Sequence, residues 1–197
     1  MVLTKQLQET ATCTFANAFH EYPMFTWCLP DAERRWERVH VFFQMMISHG
    51  VKYGQLELTS PGCEGVVHYL PPETPLPGTW RYMRCGGLKL LHSWGQAAMK
   101  RLETITTIVD EAREHCMQLP HFYIMQIGIE PAHQGKGHGK ALFNKIFAMS
   151  EEKNCPCYLE TFKTVNVEIY KHLEFQLADQ RPVPGSPLTL YAMIRDP

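Results

Sequence analysis

The chain has 197 residues, of which 45% are hydrophobic and 20% are charged. At about 150 residues per domain this length favours one elaborated domain, and the composition excludes a mainly disordered or fibrous chain. Lys and Arg (19) balance Asp and Glu (20), which leaves a formal charge of −1. This balance argues against general nucleic-acid binding, because neutralising a phosphate backbone needs a surplus of cations.

The sequence also lacks the common signals for secretion, membranes and metals. Its first ten residues contain no signal-peptide core, and nowhere do about 18 apolar residues run together. We therefore expect a cytoplasmic protein without a membrane partner. Seven cysteines are an odd number that matches no disulfide framework, and the ten histidines show no zinc-binding spacing. We expect reduced thiols and no metal site.

The first predicted element is an amphipathic helix over the first twenty residues, because apolar residues recur there every three to four positions. A loop over residues 21–30 follows. Asp31 is placed to cap a second helix, which Gly50 is placed to end. Residues 51–59 and 65–70 then read as two strands of a hairpin.

The middle of the chain is less regular. Residues 73–78 are proline-rich and extended, and residues 88–92 favour a short helix before Gly95. A long helix with apolar residues at helical spacing follows, and Pro120 terminates it.

The remaining segment alternates between strands and helices. An almost wholly apolar strand opens it, as is typical of a strand buried on both faces, and a turn at residues 184–187 joins its last two strands. The predicted strands are residues 122–129, 158–161, 175–178 and 188–194, and the predicted helices are residues 137–153 and 166–173.

A glycine-rich segment lies between the strand at 122–129 and the following helix. Gly135, Gly137 and Gly139 occupy three of five positions. Without Cβ atoms the main chain can approach a ligand closely, and several N–H groups can turn inward at the positive end of a helix. The expected ligand is a phosphate; the alternative is a turn that merely joins two elements.

Spacing disfavours two kinds of nucleotide site. A P-loop would need glycine where Gln134 stands and a hydroxyl where Ala141 stands. A dinucleotide fingerprint meets Lys140 or Leu142 at its last glycine. ATP or GTP hydrolysis and dinucleotide binding are therefore disfavoured.

The segment does fit Gln/Arg-x-x-Gly-x-Gly/Ala at Gln134, Gly137 and Gly139. This resembles the pyrophosphate-binding signature of the GNAT superfamily of N-acetyltransferases. Further residues are similar to the branch that contains puromycin N-acetyltransferase: Ile127-Gly128-Ile129, Leu159-Glu160-Thr161, Asn166, Tyr170, Leu173, Phe175 and Val183-Pro184-Gly185. One departure is Glu174, where the family usually has glycine. A turn of the family's type after the helix at residues 166–173 is therefore uncertain from the sequence.

The resemblance implies a fold and a cofactor. The fold is α/β (α+β): one GNAT-like domain over residues 1–197, with a mixed, mostly antiparallel sheet of about six to seven strands, flanking helices and splayed central strands. Residues 1–120 would form the acceptor side and residues 121–197 the acetyl-CoA-binding half. Main-chain groups of Ile127, Gly128 and Ile129 would pair with the pantetheine arm. The loop residues that would hold the pyrophosphate are Gln134, Gly135, Lys136, Gly137, His138, Gly139 and Lys140.

The resemblance also implies catalytic roles. Tyr170 matches the family tyrosine near the cofactor sulfur and is assigned as general acid. Asn166 resembles the asparagine that reaches the cofactor arm, with a helix cap as the alternative. Glu160 is the first candidate for the base and His121 and His68 are the next, while deprotonation through water or by solvent stays open.

The acceptor pocket is expected between the loop at residues 22–28 and the hairpin at residues 68–70. Phe25, Trp27 and Tyr69 would be its aromatic walls, with ordinary core packing as the alternative. The leading hypothesis is an acetyl-CoA-dependent N-acetyltransferase of a small-molecule amine. O-acetylation, transfer of a longer acyl group and a catalytically idle CoA-binding sensor are the alternatives, and dimerisation through the last strands stays open.

Overall fold

Six strands form one open sheet in the computed structural model, which describes residues 3–197. The strands are β1 (Gln55–Leu58), β2 (Gly65–Leu70), β3 (Phe122–Ile129), β4 (Cys157–Thr161), β5 (Gln176–Pro182) and β6 (Thr189–Arg195). Their order in the sheet is β1-β2-β3-β4-β6-β5, and only β3 and β4 run parallel. The prediction of a mixed, mostly antiparallel sheet is confirmed.

Seven α-helices flank this sheet among the described residues. They are α1 (Lys5–Phe19), α2 (Pro23–Cys28), α3 (Ala32–Tyr53), α4 (Thr79–Tyr82), α5 (Leu88–Cys116), α6 (His138–Lys153) and α7 (Thr164–Lys171). A π-helical turn (Met83–Gly87) leads into α5, and a 3₁₀ turn (Pro131–His133) follows β3. The helix predicted for the first twenty residues corresponds to α1, and residues 1–2 lie outside the described part.

Two apolar clusters lie on the two faces of the sheet. Helices α1, α3 and α5 bury one face around Phe15, Phe43 and Tyr158. Helix α6 covers the other face, where Leu142 and Ile146 pack with side chains of β2, β3 and β4. Strands β2, β3, β4 and β6 therefore send side chains into both cores.

The predicted end of the second helix was wrong. Helix α3 starts after Asp31, whose side chain accepts from the Glu33 N–H, but it runs past Gly50 to Tyr53. A Cβ at Gly50 would lie 2.7 Å from Leu56 Cγ. The glycine thus permits close packing of β1 on the helix instead of ending it, and the strand predicted for residues 51–59 shortens accordingly.

Helix α5 joins two segments that the sequence suggests as separate helices. Gly95 interrupts it with φ +71° and ψ 170°, a conformation that glycine adopts at little cost. The interruption predicted at Gly95 is confirmed, because the chain kinks there between two helical segments.

The sheet opens between its two parallel strands. Strands β3 and β4 pair only at Phe122 with Cys157 and at Tyr123 with Tyr158. Beyond Tyr123 the main chain of β3 has no strand partner on that side. The predicted splay therefore lies in the middle of the sheet.

No helix in residues 3–197 is long and apolar enough to cross a bilayer. All seven cysteines are free thiols in the structure.

Candidate active site

The loop after β3 presents a series of unpaired peptide N–H groups. Gly135 and Gly137 adopt φ +75° and +84°, which side chains with a Cβ rarely adopt, and nothing lies within 4 Å of the Cβ that either glycine lacks. The six amides from Gly135 to Lys140 have no hydrogen-bond acceptor within 3.5 Å among the described residues, and the first helical bond of α6 is that from Ala141 to Gly137. Together with the N-terminus of α6 they form a site for an anion.

The side chains around this loop leave its N–H groups open. The Gln134 side chain folds back to donate to the Ile129 carbonyl (3.3 Å), and Lys136 Nζ donates to the Ala132 carbonyl (3.0 Å). His138 and Lys140 belong to the first turn of α6. Gly139 has an ordinary φ, and its missing Cβ would lie 3.9 Å from Ile129.

Gly128 in β3 has a packing reason of its own. A Cβ there would lie 2.8 Å from Phe15 Cδ1, so the glycine lets α1 lie close against the strand. Ile127 and Ile129 point to the opposite face, towards the core under α6.

Helix α7 positions Tyr170 through the turn that follows it. The Phe175 N–H donates to the Tyr170 carbonyl (3.0 Å) and the Glu174 N–H to the Lys171 carbonyl (3.0 Å), which is the Schellman pattern. The rings of Tyr170 and Phe175 pack 5.9 Å apart, as the motif favours. Glu174 takes the left-handed conformation (φ +67°) that this pattern requires, so the turn forms without the glycine usual in the family.

A second set of contacts joins α7 to the end of β4. Asn166 lies inside the first turn of α7, so it is not the cap, and its amide donates to Thr161 Oγ1 (3.2 Å). The Tyr22 hydroxyl lies 2.8 Å from the same oxygen and accepts from the Phe162 N–H (2.7 Å). These bonds fix the segment after α1 against the open end of the sheet.

A cavity of about 770 Å³ opens between the splayed strands and the helices α2, α3 and α5. Ile127 of β3 and the α7 residues Asn166 and Tyr170 are among the residues that line it. Many of its walls are apolar side chains that are also part of the core: Phe25, Phe42, Phe43, Met45, Met46, Leu90, Leu102 and Ile105. The volume falls in the range of about 300–1,000 Å³ that is typical of small-molecule sites.

Glu160 brings a carboxylate into this cavity from β4. Burial raises its pKa to about 8, although Tyr158, Tyr123 and Arg113 nearby stabilise the charged form. Its Oε1 atom is buried without a hydrogen-bond partner among the described residues. A carboxyl group that titrates near neutral pH beside a cavity is suited to accept a proton.

Comparisons with known proteins agree with this geometry. Residues 95–175 match the sequence profile described as "Acetyltransferase (GNAT) family", and this match contains the glycine loop and Tyr170. The chain carries a GNAT acetyltransferase domain.

Two kinds of relative extend the likeness beyond the matched residues. An uncharacterised N-acetyltransferase of Schizosaccharomyces pombe is 23% identical over 206 residues, which covers 95% of this chain and 78% of that protein. A Corynebacterium glutamicum structure, described as histone acetyltransferase HPA2 and related acetyltransferase, superposes with a TM-score of 0.72 at 21% identity, covering 100% of this chain and 94% of that one.

A Drosophila melanogaster polyamine N-acetyltransferase superposes with a TM-score of 0.61 at 13% identity, covering 98% and 95% of the two chains. At these identities the structural likenesses show the fold. The prediction of a GNAT acetyltransferase domain is confirmed, and the narrower branch stays a prediction.

The acetyltransferase places a glutamine amide in its cavity by means of a buried histidine pair. His68 is fully buried, and burial lowers its pKa to about 3, so it is neutral near pH 7. Its Nδ1 lies 2.8 Å from Gln126 Oε1 and must therefore donate, which leaves Nε2 to accept from His49 Nδ1 at 3.2 Å. Because Gln126 Oε1 is held in this way, the free end of its amide is the NH₂ group.

A bulge in β3 accounts for the position of Gln126. The register between β2 and β3 shifts at His68/Tyr69, where His68 pairs with Gln126 and Tyr69 with Ile124. Met125 is the extra residue, and both Met125 and Gln126 line the cavity.

Two of the three expected aromatic walls do not line the cavity. Phe25 does line it. Residues 23–28, however, form α2 instead of a loop. Because Phe25 and Trp27 are two residues apart on a helix, their side chains point in directions that differ by about 200° around its axis. Trp27 consequently faces away, where Arg101 lies over its ring at 5.7 Å. Tyr69 projects to the other face of the sheet and its hydroxyl meets Met149, since neighbouring strand residues alternate between faces.

Neither histidine considered as a base lines the cavity. His68 is separated from the cavity by Gln126, to which it is hydrogen-bonded. His121 immediately precedes β3 in the chain, and its ring is hydrogen-bonded to the Leu119 carbonyl (2.8 Å). Glu160 remains as the candidate base from the sequence.

Sequence reasoning missed Gln126, Arg113 and the α3 residues of the cavity. Phe42 and Met45 are apolar residues of an amphipathic helix and look like core in sequence. The available signal was the high methionine content of the chain, ten residues, because methionine is common in adaptable binding surfaces.

One group of possible metal ligands lies elsewhere, on α1 and α3. Ligand atoms of Glu9, Cys13 and His40 lie within 4.8 Å of one another. A hydrogen bond of 2.9 Å between His40 and Glu9 already accounts for this arrangement.

Proposed function

We propose that this acetyltransferase transfers the acetyl group of acetyl-CoA to the amine of a small molecule. The observation that carries the proposal is a juxtaposition. An anion site made of free amides directly follows β3, and the same strand contributes Ile127 to a cavity that also contains Glu160 and Tyr170.

The residues proposed to bind acetyl-CoA are mainly those whose main-chain groups lack a hydrogen-bond partner in the protein. The amides of residues 135–140 would hold the pyrophosphate, each charge-assisted bond contributing about 1.5–3 kcal/mol. The unpaired side of β3 at Ile127 and Ile129 would pair with the pantetheine arm as an added strand does, and Asn166 would reach the same arm. Bound acetyl-CoA supplies an acetyl group activated as a thioester.

The acceptor must become neutral before it attacks. For an alkylamine with a pKa near 10.4, deprotonation at pH 7 costs about 4.6 kcal/mol. Glu160, with its pKa of about 8, is the group in the cavity that can take this proton near neutral pH. It would accept the proton from the amine directly or through one water molecule.

Tyr170 would assist the departing sulfur. Burial raises the pKa of its hydroxyl above the usual range, so the proton stays on the tyrosine. A thiol near pKa 8.5 is the stronger acid, and complete transfer from a tyrosine near 10 would cost about 2 kcal/mol or more. Tyr170 therefore acts mainly as a hydrogen-bond donor to the developing thiolate.

Two measurements on the purified chain test this function. Titration calorimetry with acetyl-CoA should give saturable heat, and thiol release from acetyl-CoA should depend on an added primary amine. Absence of heat at millimolar acetyl-CoA would contradict the proposal. Binding without thiol release from any amine in a broad panel would identify an idle sensor instead.

A further inference from the structure

The polar groups of the cavity differ in what they can bind. Its walls include four carboxylates and one guanidinium. Glu103, Asp110 and Glu114 are exposed along α5, and Asp110 pairs with Arg113 at 2.8 Å. Glu160 is the carboxylate that lies inside.

Two further inward polar groups, Arg113 and Gln126, are poor partners for a cation. Arg113 is itself a buried cation, stacked on the Tyr123 ring at 5.5 Å. The free end of the Gln126 amide is a donor, because His68 occupies its oxygen. Glu160 is therefore the carboxyl group inside the cavity that can carry a negative charge beside an ammonium group.

The wall from α3 is apolar throughout. It consists of Phe42, Phe43, Met45 and Met46, each at most 8% exposed. A ligand group placed against this wall loses its water and gains no hydrogen bond in return. Such a wall stabilises hydrocarbon and disfavours a second charge.

We propose that the acceptor is a monoamine with a hydrophobic body: its single nitrogen lies at Glu160 and its hydrocarbon part contacts the α3 wall. This inference rests on the proposed function for the reaction itself. The exposed carboxylates Glu103 and Glu114 attract cationic amines to the opening and keep their own water, so their contribution is to association and is weakened by salt.

A matched pair of amines tests the proposal. Heptylamine and 1,6-diaminohexane have equal length and differ in one terminal group, a methyl or a second ammonium. We expect kcat/KM for heptylamine to exceed that for the diamine at least 30-fold at 150 mM salt. Calorimetry of each amine with the chain alone should show the same order of affinity. Equal or better use of the diamine would overturn the proposal.

A charge placed in the lining of the cavity, on α5, should change the preference for heptylamine over the diamine. Met99 is half-buried and lines the cavity, so Met99→Glu should narrow the ratio between the two amines at least fivefold. Met117→Glu makes the same change at a half-buried methionine outside the cavity and should leave the ratio unchanged. An equal effect of the two variants would contradict the proposed contact.

The two proposals fail in different ways. If acetyl-CoA binds but neither amine causes thiol release, the proposed function fails. The relative affinities of the two amines, measured by calorimetry, then still test whether the cavity prefers a hydrophobic monoamine. If thiol release is seen with the diamine in preference and Glu103→Gln with Glu114→Gln abolishes it, the exposed carboxylates select a polyamine and the inference is wrong.

Discussion

The candidate site has a donor end, the glycine loop after β3, and an acceptor end, the cavity, and the two are built in different ways. At the donor end, consecutive main-chain amides of one loop form the site, and glycines with positive φ aim them. At the acceptor end, side chains from α2, α3, α5, β3 and β4 meet although they are far apart in the chain. A site made of main chain is compact in sequence, whereas a site made of side chains depends on how the elements pack.

The largest expected effect is at the donor end, where replacing a loop glycine should abolish most of the affinity for acetyl-CoA. Asparagine tolerates the left-handed conformation, so Gly137→Asn should fold while its side chain occupies the place of the anion. We expect acetyl-CoA affinity to fall at least 100-fold by calorimetry, with the melting temperature little changed. Gly139→Ala is the control: its φ is ordinary and its Cβ has room, so affinity should stay within about threefold.

The acceptor end is tested next by Glu160→Gln. A base must be deprotonated to act, so kcat/KM of the parent should rise with pH and level off above its pKa of about 8. In the variant this inflection should disappear and kcat/KM at pH 8 should fall about 100-fold. The carboxyl group faces Tyr158, Tyr123, Arg113 and Asp110. The pKa values of the two tyrosines and of Arg113 are all raised, so these three groups keep their charge state in this range. A variant that keeps the parent profile would assign the proton to solvent.

The variant Tyr170→Phe tests the proposed hydrogen bond to the leaving sulfur, between the donor end and the acceptor end of the site. The ring contacts with Phe143 and Phe175 should persist, so the variant should fold. We expect kcat to fall about tenfold and acetyl-CoA affinity to stay within twofold, because the hydroxyl acts on the leaving sulfur. Tyr191→Phe removes a hydroxyl that binds Thr164 outside the cavity and should leave kcat unchanged. An unaltered kcat in Tyr170→Phe would remove the assigned role.

The smallest expected effect is at Glu174, which holds the turn behind Tyr170. Its left-handed conformation costs a residue with Cβ about 1 kcal/mol, while its exposed pair with Arg195 (3.1 Å) contributes little. Glu174→Gly should therefore be about 1 kcal/mol more stable than Glu174→Ala, since both lose the pair and only glycine relieves the strain. Chemical denaturation measures the difference, and equal stabilities would show that the turn is unstrained.

Local patterns predicted much of the fold. Strands β2 and β3 are confirmed at both ends because their flanking turns and apolar runs are unambiguous. Gly50 was misinterpreted because a glycine that ends a helix and one that admits a neighbouring Leu56 look alike in sequence. Trp27 was misplaced because six residues are too few to distinguish a helix from a loop by periodicity.

The sequence by itself determined the anion loop, since a positive φ at glycine and free amides at a helix start are properties of a few consecutive residues. Only the tertiary structure decided the acceptor cavity. Phe42, Arg113 and Gln126 meet there because α3, α5 and β3 pack in one particular way, and the bulge at Met125 turns Gln126 inward. Apolar faces specify burial but not their partners, so the composition of a cavity between them is fixed only when the elements pack.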